Sequence, residues 1–233
     1  MTEPVIDKTQ LRDASSLILV RRDNPNGPSV LMGQRGAGAA FMPSKYVFPG
    51  GALDKGDWSI PLAAPLSDTC ARRLAAEAPE GIGPALAAAA VRELWEETGL
   101  LFGQEGVWPG PVPEDWQGMA AFGFRPSAAP LHFMFRAITP RGRPRRFDAR
   151  FFLADAAEIT GDPEDFSRAC DELSHLHWVP ISEARRLNLP FITEVVLAEV
   201  QAILHASGEH IALPDSLPFF DNAGERATFR RIA

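Results

Sequence analysis

The chain has 233 residues, 45% of them apolar and 23% charged, which excludes a disordered or coiled-coil composition and leaves enough apolar mass for a packed core. Its formal net charge of −7 argues against a general nucleic-acid or membrane-surface binder, because either would carry a basic field. Two cysteines, Cys70 and Cys170, build neither a disulfide framework nor a CxxC metal site, so a cytoplasmic location is expected.

In chain order, Met1 to Arg22 holds only a short apolar run, Leu17-Ile18-Leu19-Val20, too short for a signal peptide or a membrane span. Ser15 to Arg22 reads as a strand ending at the turn cluster Asn24-Pro25-Asn26-Gly27, and Ser29 to Arg35 as its hairpin partner. Tyr46-Val47-Phe48 is a short strand running into Pro49-Gly50-Gly51. Residues 56–83 are irregular, with a short helix around Cys70 to Ala78. An amphipathic helix follows from about Pro84 to Thr98, where proline suits the first turn and Gly99 the C-terminal cap. The loop from Gly103 to Pro130 is long enough to carry function. Leu131 to Ile138, Arg146 to Ala154 and Leu173 to Val179 read as strands, and Ile181 to Asn188 and Phe191 to His205 as helices. The polar tail 207–233 ends in Arg231-Ile232-Ala233, which is no peroxisomal targeting tripeptide. This order predicts one α+β domain over 1–233, an α/β/α sandwich with a mixed sheet.

The chemistry concentrates in Arg92-Glu93-Leu94-Trp95-Glu96-Glu97-Thr98-Gly99-Leu100. Helical periodicity puts Glu93, Glu96 and Glu97 on one face and Val91, Leu94, Trp95 and Thr98 on the other. Neighbouring like charges repel, and a hard divalent cation such as Mg²⁺ relieves them by taking carboxylate oxygens. Taken alone, the carboxylates leave a merely solvated helix face the commoner outcome.

Gly50-Gly51 together with that nonapeptide resembles the Nudix box, whose second half is matched at every specified position. The resemblance implies the Nudix sandwich fold and metal-assisted attack of water on a diphosphate. It implies that Glu96 and Glu97 ligate Mg²⁺ or Mn²⁺, and that Glu93 ligates metal or assists the water. Arg92 would orient a neighbouring glutamate, and the Gly51 carbonyl would reach the metal. Gly51 and Arg92 are 41 residues apart, about 27 more than in the family pattern, so residues 56–83 read as an insertion. Counting forward from Gly51, the first box glutamate falls on Asp57; counting back from Arg92, it falls on Pro84. Asp54, Asp57 and Glu80 are candidates for its role.

The split box, Asp57-Trp58, and the stretch Thr139-Pro140 through Arg146-Phe147-Asp148-Ala149-Arg150-Phe151-Phe152 resemble the coenzyme A diphosphatase branch of that family. The branch implies cleavage of coenzyme A or acyl-coenzyme A to phosphopantetheine and adenosine 3′,5′-bisphosphate, and family habit implies a homodimer. A hydrolase for ADP-ribose or NADH is the alternative, and a non-catalytic Nudix nucleotide-binding module is a third reading. Leu31-Met32-Gly33-Gln34-Arg35 echoes part of a coenzyme A motif of another branch and makes Arg35 a substrate-binding candidate. Arg145, Arg146 and Arg150 lie in the densest basic run and suit substrate phosphates, although a charged strand edge would look the same. Glu172 is a candidate late metal ligand or base, with structural ion pairing the competing reading. His175 and His177 alternate as strand neighbours and are weaker candidates for a metal pair. Trp108, Trp116 and Phe122 suit either adenine stacking or packing.

Overall fold

The computed structural model describes residues 10–23, 25 and 27–233, so Asn24 and Asn26 of the predicted turn lie outside the described residues. The chain runs through β1 (Leu11–Arg21), β2 (Ser29–Arg35), β3 (Tyr46–Val47), β4 (Gly50–Ala52), α1 (Asp68–Ala75) and α2 (Ile82–Thr98). The long loop contributes β5 (Leu101–Phe102), β6 (Gln104–Glu105), α3 (Gln117–Ala121) and β7 (Phe124–Arg125). Then come β8 (His132–Ile138), β9 (Arg146–Asp155), β10 (Ile159–Thr160), β11 (Leu173–Pro180), α4 (Ile181–Ala184) and α5 (Phe191–Ala206), and finally β12 (Leu217–Asp221) and β13 (Thr228–Ile232).

A mixed nine-stranded sheet organises the protein in the order β11-β2-β1-β9-β8-β12-β13, with β3 on β2 and β4 on β1. β1 runs parallel to β9, and β12 parallel to β8, while the other pairs in the sheet are antiparallel. The central strand β1 is covered on both faces, which is why Leu17 to Val20 read as an unbroken apolar run. Leu17 and Leu19 pack with Leu86, Val91 and Leu94 of α2. Ile18 and Val20 pack on the other side with Val196, Val200 and Ile203 of α5. These are the two helical layers of the expected α+β sandwich.

Helix α2 is more deeply enclosed than an amphipathic surface helix. Residues Ala85 to Val91 are all buried, because α1 and the turn at Gly56–Ser59 cover its outer side. Ser67 caps α1 by accepting from the Cys70 amide at 3.3 Å. Gly99 ends α2 in the left-handed region at φ 72°, its amide donating to the Trp95 carbonyl at 2.8 Å.

Three expectations are corrected. Helix α2 begins at Ile82, two residues before the expected start, and Pro84 keeps its first-turn position. The short helix ends at Ala184 rather than Asn188. The tail is not merely polar: β12 and β13 pair through five registered positions and extend the sheet, burying Leu217, Phe219 and Ile232. Alternation was hidden there by prolines and by charged residues such as Arg230, which is half-buried over the Phe219 ring and paired with Glu77 and Asp221.

Candidate active site

Two backbone elements distant in sequence meet at the C-terminal half of α2. β4 pairs with β1 so that Gly50 and Gly51 stand opposite Ser16 and Ser15. The Gly50 amide donates to Glu97 Oε2 at 2.8 Å. A Cβ on Gly51 would stand 2.5 Å from Glu93 Cδ and 2.6 Å from its Oε2. Glycine is required here because the helix carboxylates lie directly on the backbone. Sequence reasoning singled out Gly51 for its carbonyl and missed the Gly50 amide, whose only signal was the doubled glycine.

Arg92 is the hub. Its Nε and Nη2 donate to Asp57 Oδ1 and Oδ2 at 2.9 and 3.0 Å, while Nη1 donates to Glu93 Oε1 at 2.9 Å and Glu96 Oε2 at 3.1 Å. Nη2 also reaches the Ala52 carbonyl at 3.2 Å, tying the guanidinium to β4. Asp57 and Arg92 are 3% and 4% exposed, so this is a buried, bidentate pair. Asp57 additionally accepts from the Asp54 amide at 2.8 Å, which fixes the turn that carries it. Of the three carboxylates considered for the first box position, Asp57 engages the arginine directly. Asp54 is only 3.8 Å away at its nearest and exposed, and Glu80 lies exposed before α2.

The electrostatics describe a cluster short of positive charge. Burial raises Glu93 to about 7, opposed by Arg92 and reinforced by Glu96. Burial, then the charge on Glu93, pushes Glu97 well above the usual carboxylate range, and the Gly50 amide opposes it. Glu96 is also raised, by burial first, with Arg92 pulling it down and Asp115 adding to the rise. Glu97 Oε1 is buried without a hydrogen-bond partner. Among the described residues no three His, Cys, Asp or Glu side chains already form a metal cage: Glu93 and Glu96 face Arg92, and Glu97 faces Gly50. The donor set nevertheless fits a hard divalent ion, being all oxygen, with one buried oxygen unpartnered and the Gly51 backbone in contact with Glu93.

Glu172 adds a fourth carboxylate, close enough for its charge to raise both Glu93 and Glu97. It is paired with Arg35, whose Nη2 donates to Glu172 Oε1 at 2.9 Å and whose Nε is buried without a partner. Arg35 acts on Glu97 too, lowering its pKa. The structure therefore brings Arg35, Gly51, Arg92, Glu93, Glu96, Glu97 and Glu172 into one neighbourhood.

Other candidates fall elsewhere. Arg150 is 1% exposed, bonded to Asp13 and, at 3.3 Å, ion-paired to Asp148. Its Nη2 is buried without a hydrogen-bond partner, and the α2-facing side of β9 carries the side chain inward. Asp148 is also gripped by Arg136 at 2.7 and 2.9 Å. Arg146 donates to the Thr139 and Asn222 carbonyls, each at 3.2 Å, and Arg145 is exposed at the start of the strand. His175 and His177 do not share a strand face: the β11–β2 register shifts between Ser174 and His177, and His175 has φ 51°. Trp116 is buried in the core and packs near Trp108, whose Nε1 donates to the Phe124 carbonyl at 2.9 Å. Phe122 is half exposed, edge-on to Trp95. Cys70 is buried and Cys170 exposed, both as free thiols.

A NUDIX domain profile matches residues 11–200, spanning β1 through most of α5 and enclosing the whole site. The chain belongs to the Nudix family. Over 183 residues it is 28% identical to a Caenorhabditis elegans protein described as nudix hydrolase 7, a match taking in 74% of this chain and 52% of the worm protein. The matched stretch thus spans about half the length of that curated relative. The crystal structure of a NUDIX hydrolase from Alicyclobacillus acidocaldarius is similar to this fold with a TM-score of 0.63 at 27% identity, covering 88% of this chain and 99% of that one. No helix among the described residues is long and apolar enough to cross a membrane.

Proposed function

We propose that this Nudix-family protein is a metal-dependent hydrolase that cleaves the diphosphate of coenzyme A or an acyl-coenzyme A, giving the phosphopantetheine half and adenosine 3′,5′-bisphosphate. The observation that carries the hydrolytic reading is the clasp of Glu97 and Glu93 against Gly50-Gly51, with Glu97 Oε1 left unpartnered. Glu93, Glu96, Glu97 and the Gly51 carbonyl would hold Mg²⁺ or Mn²⁺, with Glu172 in reserve. When bound, the ion supplies charge to offset the diphosphate oxygens and acidity for the attacking water.

The chain's own groups do the rest. Arg92 fixes Glu93 and Glu96 from beneath, and Asp57 fixes Arg92. In the metal-free protein burial raises Glu93 to about 7, and a bound cation would favour its ionised form. Arg35, beside Glu172, is a second cation whose charge acts on Glu97, and with Arg92 committed to the box carboxylates it is the first candidate for a substrate phosphate. Arg145 and Arg146, on the strand-edge turn, are proposed for the further phosphate that coenzyme A carries; Arg150 is not, because its position is core. The coenzyme A assignment is supported by the resemblance of residues 139–152 to that branch.

The test is turnover of coenzyme A, acetyl-coenzyme A, longer acyl-coenzyme A, ADP-ribose and NADH with Mg²⁺ or Mn²⁺, products resolved by mass. Release of adenosine 3′,5′-bisphosphate, lost in Glu97→Gln, is the expected result. AMP from ADP-ribose or NADH with coenzyme A untouched would overturn the substrate assignment and keep the chemistry. Binding of these nucleotides without turnover of any would overturn the enzyme reading.

A further inference from the structure

Glu93, Glu96 and Glu97 are all carried by α2, whereas Glu172 reaches them from a separate segment, the turns between β10 and β11. Its side chain is half exposed and ion-paired with Arg35, so packing does not fix its position. The backbone that carries Glu172 therefore decides where it stands. That backbone is anchored first on the core, where Trp178 Nε1 donates to the Pro163 carbonyl at 3.0 Å and Phe166 packs against the cluster on the α2 side of the sheet. It then crosses the C-terminal end of α2 and enters β11, where Leu173 pairs with Arg35.

The crossing is held by the end of the helix. The last carbonyls of a helix have no partner within it and carry the negative end of its dipole. Here the Glu96 carbonyl accepts from the Cys170 amide at 3.0 Å, and the Gly99 carbonyl accepts from Arg168 Nε at 3.2 Å. The guanidinium is held from two further sides: Nη1 lies 3.2 Å from Asp165 Oδ2, and Cζ lies 5.3 Å from the centre of the Phe122 ring. Arg168 thus ties together the turns that lead to Glu172, the end of α2 and the long loop that carries Phe122. The approach is close. A Cβ on Gly99 would stand 2.6 Å from Arg168 Cβ and 2.9 Å from its carbonyl carbon, so glycine is needed there for the contact as well as for the turn.

We propose that Arg168 is a positioning residue for the carboxylate site: by clamping residues 168–170 onto the end of α2 it sets where Glu172 stands, and with it how tightly the site holds a divalent ion. It touches neither the ion nor the substrate. The inference rests on the metal site proposed above. Ion affinity depends on the orientation of each ligand, so a group that fixes the backbone of one ligand shows itself in that affinity.

The test is calorimetric titration of the full chain with Mn²⁺, without substrate, for the wild type, Arg168→Met, Arg168→Lys, Glu172→Gln, Glu97→Gln and the double variant Arg168→Met/Glu172→Gln. Methionine keeps a stem over Phe122 and removes both the donor and the charge. Arg168→Met should weaken Mn²⁺ binding by about tenfold, and Glu172→Gln by a similar factor. The double variant should bind no more weakly than Glu172→Gln alone, because the arginine acts through that carboxylate. Arg168→Lys, which restores a donor for the Gly99 carbonyl, should bind more tightly than Arg168→Met. An arginine with a merely structural role would lower the thermal midpoint in chelator and leave Mn²⁺ affinity unchanged. The inference is overturned if Arg168→Met binds as the wild type does, if lysine recovers nothing, if Glu172→Gln is without effect, or if the two losses multiply in the double variant. Glu97→Gln separates this inference from the reading beneath it. It should lose Mn²⁺ binding, and if it binds normally the carboxylate site itself is wrong and the positioning role falls with it.

Discussion

Replacing Asp57 with Asn removes the charge facing Arg92 while keeping the shape of the side chain. Both partners are nearly fully buried and joined by two bonds of 2.9 and 3.0 Å. Removing one partner of a buried ion pair costs about 3–5 kcal/mol, since the other charge stays desolvated. Arg92 keeps Glu93, Glu96 and the Ala52 carbonyl, which places the loss at the lower end, about 3 kcal/mol. For a chain of this size that lowers the thermal midpoint by roughly 6–12 °C. Arg92 also holds two box glutamates, so kcat should fall more than tenfold with KM changed much less. The assay pairs thermal unfolding, followed by circular dichroism in chelator, with steady-state kinetics in Mg²⁺. A midpoint within about 2 °C of wild type, with kcat intact, would refute the assignment of Asp57 as the anchor of the box arginine.

Gly51→Ala places a methyl group on the Glu93 carboxylate. It should cost about 1–3 kcal/mol by overpacking and cut kcat at least tenfold by displacing Glu93; a fully active variant would show that the close approach is not needed. The raised pKa of Glu93 has a definite sign. Folded protein holds a proton from the usual 4.5 up to about 7 that the unfolded chain releases. Metal-free protein should therefore lose stability as pH rises through that window, by up to about 3 kcal/mol. A divalent ion favours the ionised form, so the midpoint gain from Mn²⁺ should be larger at pH 8 than at pH 5. Thermal midpoints in chelator that climb from pH 5 to 7 would contradict this.

Much of the protein is legible one segment at a time. The strand Ser29–Arg35 and the cap at Gly99 follow from local rules of apolar run length and backbone freedom, because they depend on neighbours in sequence. The glutamate face of α2 follows from helical periodicity, and the family resemblance rests on the same nine residues. Asp57 was reachable by counting forward from Gly51, but the rival count back to Pro84 could be settled only by seeing which group meets Arg92.

What the fold alone decided is where charges are desolvated. Arg145, Arg146 and Arg150 look alike in a basic run, yet strand alternation and the layer of α2 put Arg150 among Asp13 and Asp148 while Arg145 stays in water. The tail became two sheet strands because β8 offered an open edge, a fact of topology that no local pattern carries. Arg73 is one more arginine on a short helix until the Pro214 segment, more than a hundred residues away, closes over it. Sequence determines which groups can form elements and which can bind oxygen-seeking ions. Tertiary packing determines which of them lose water, and a buried charge must then find a partner.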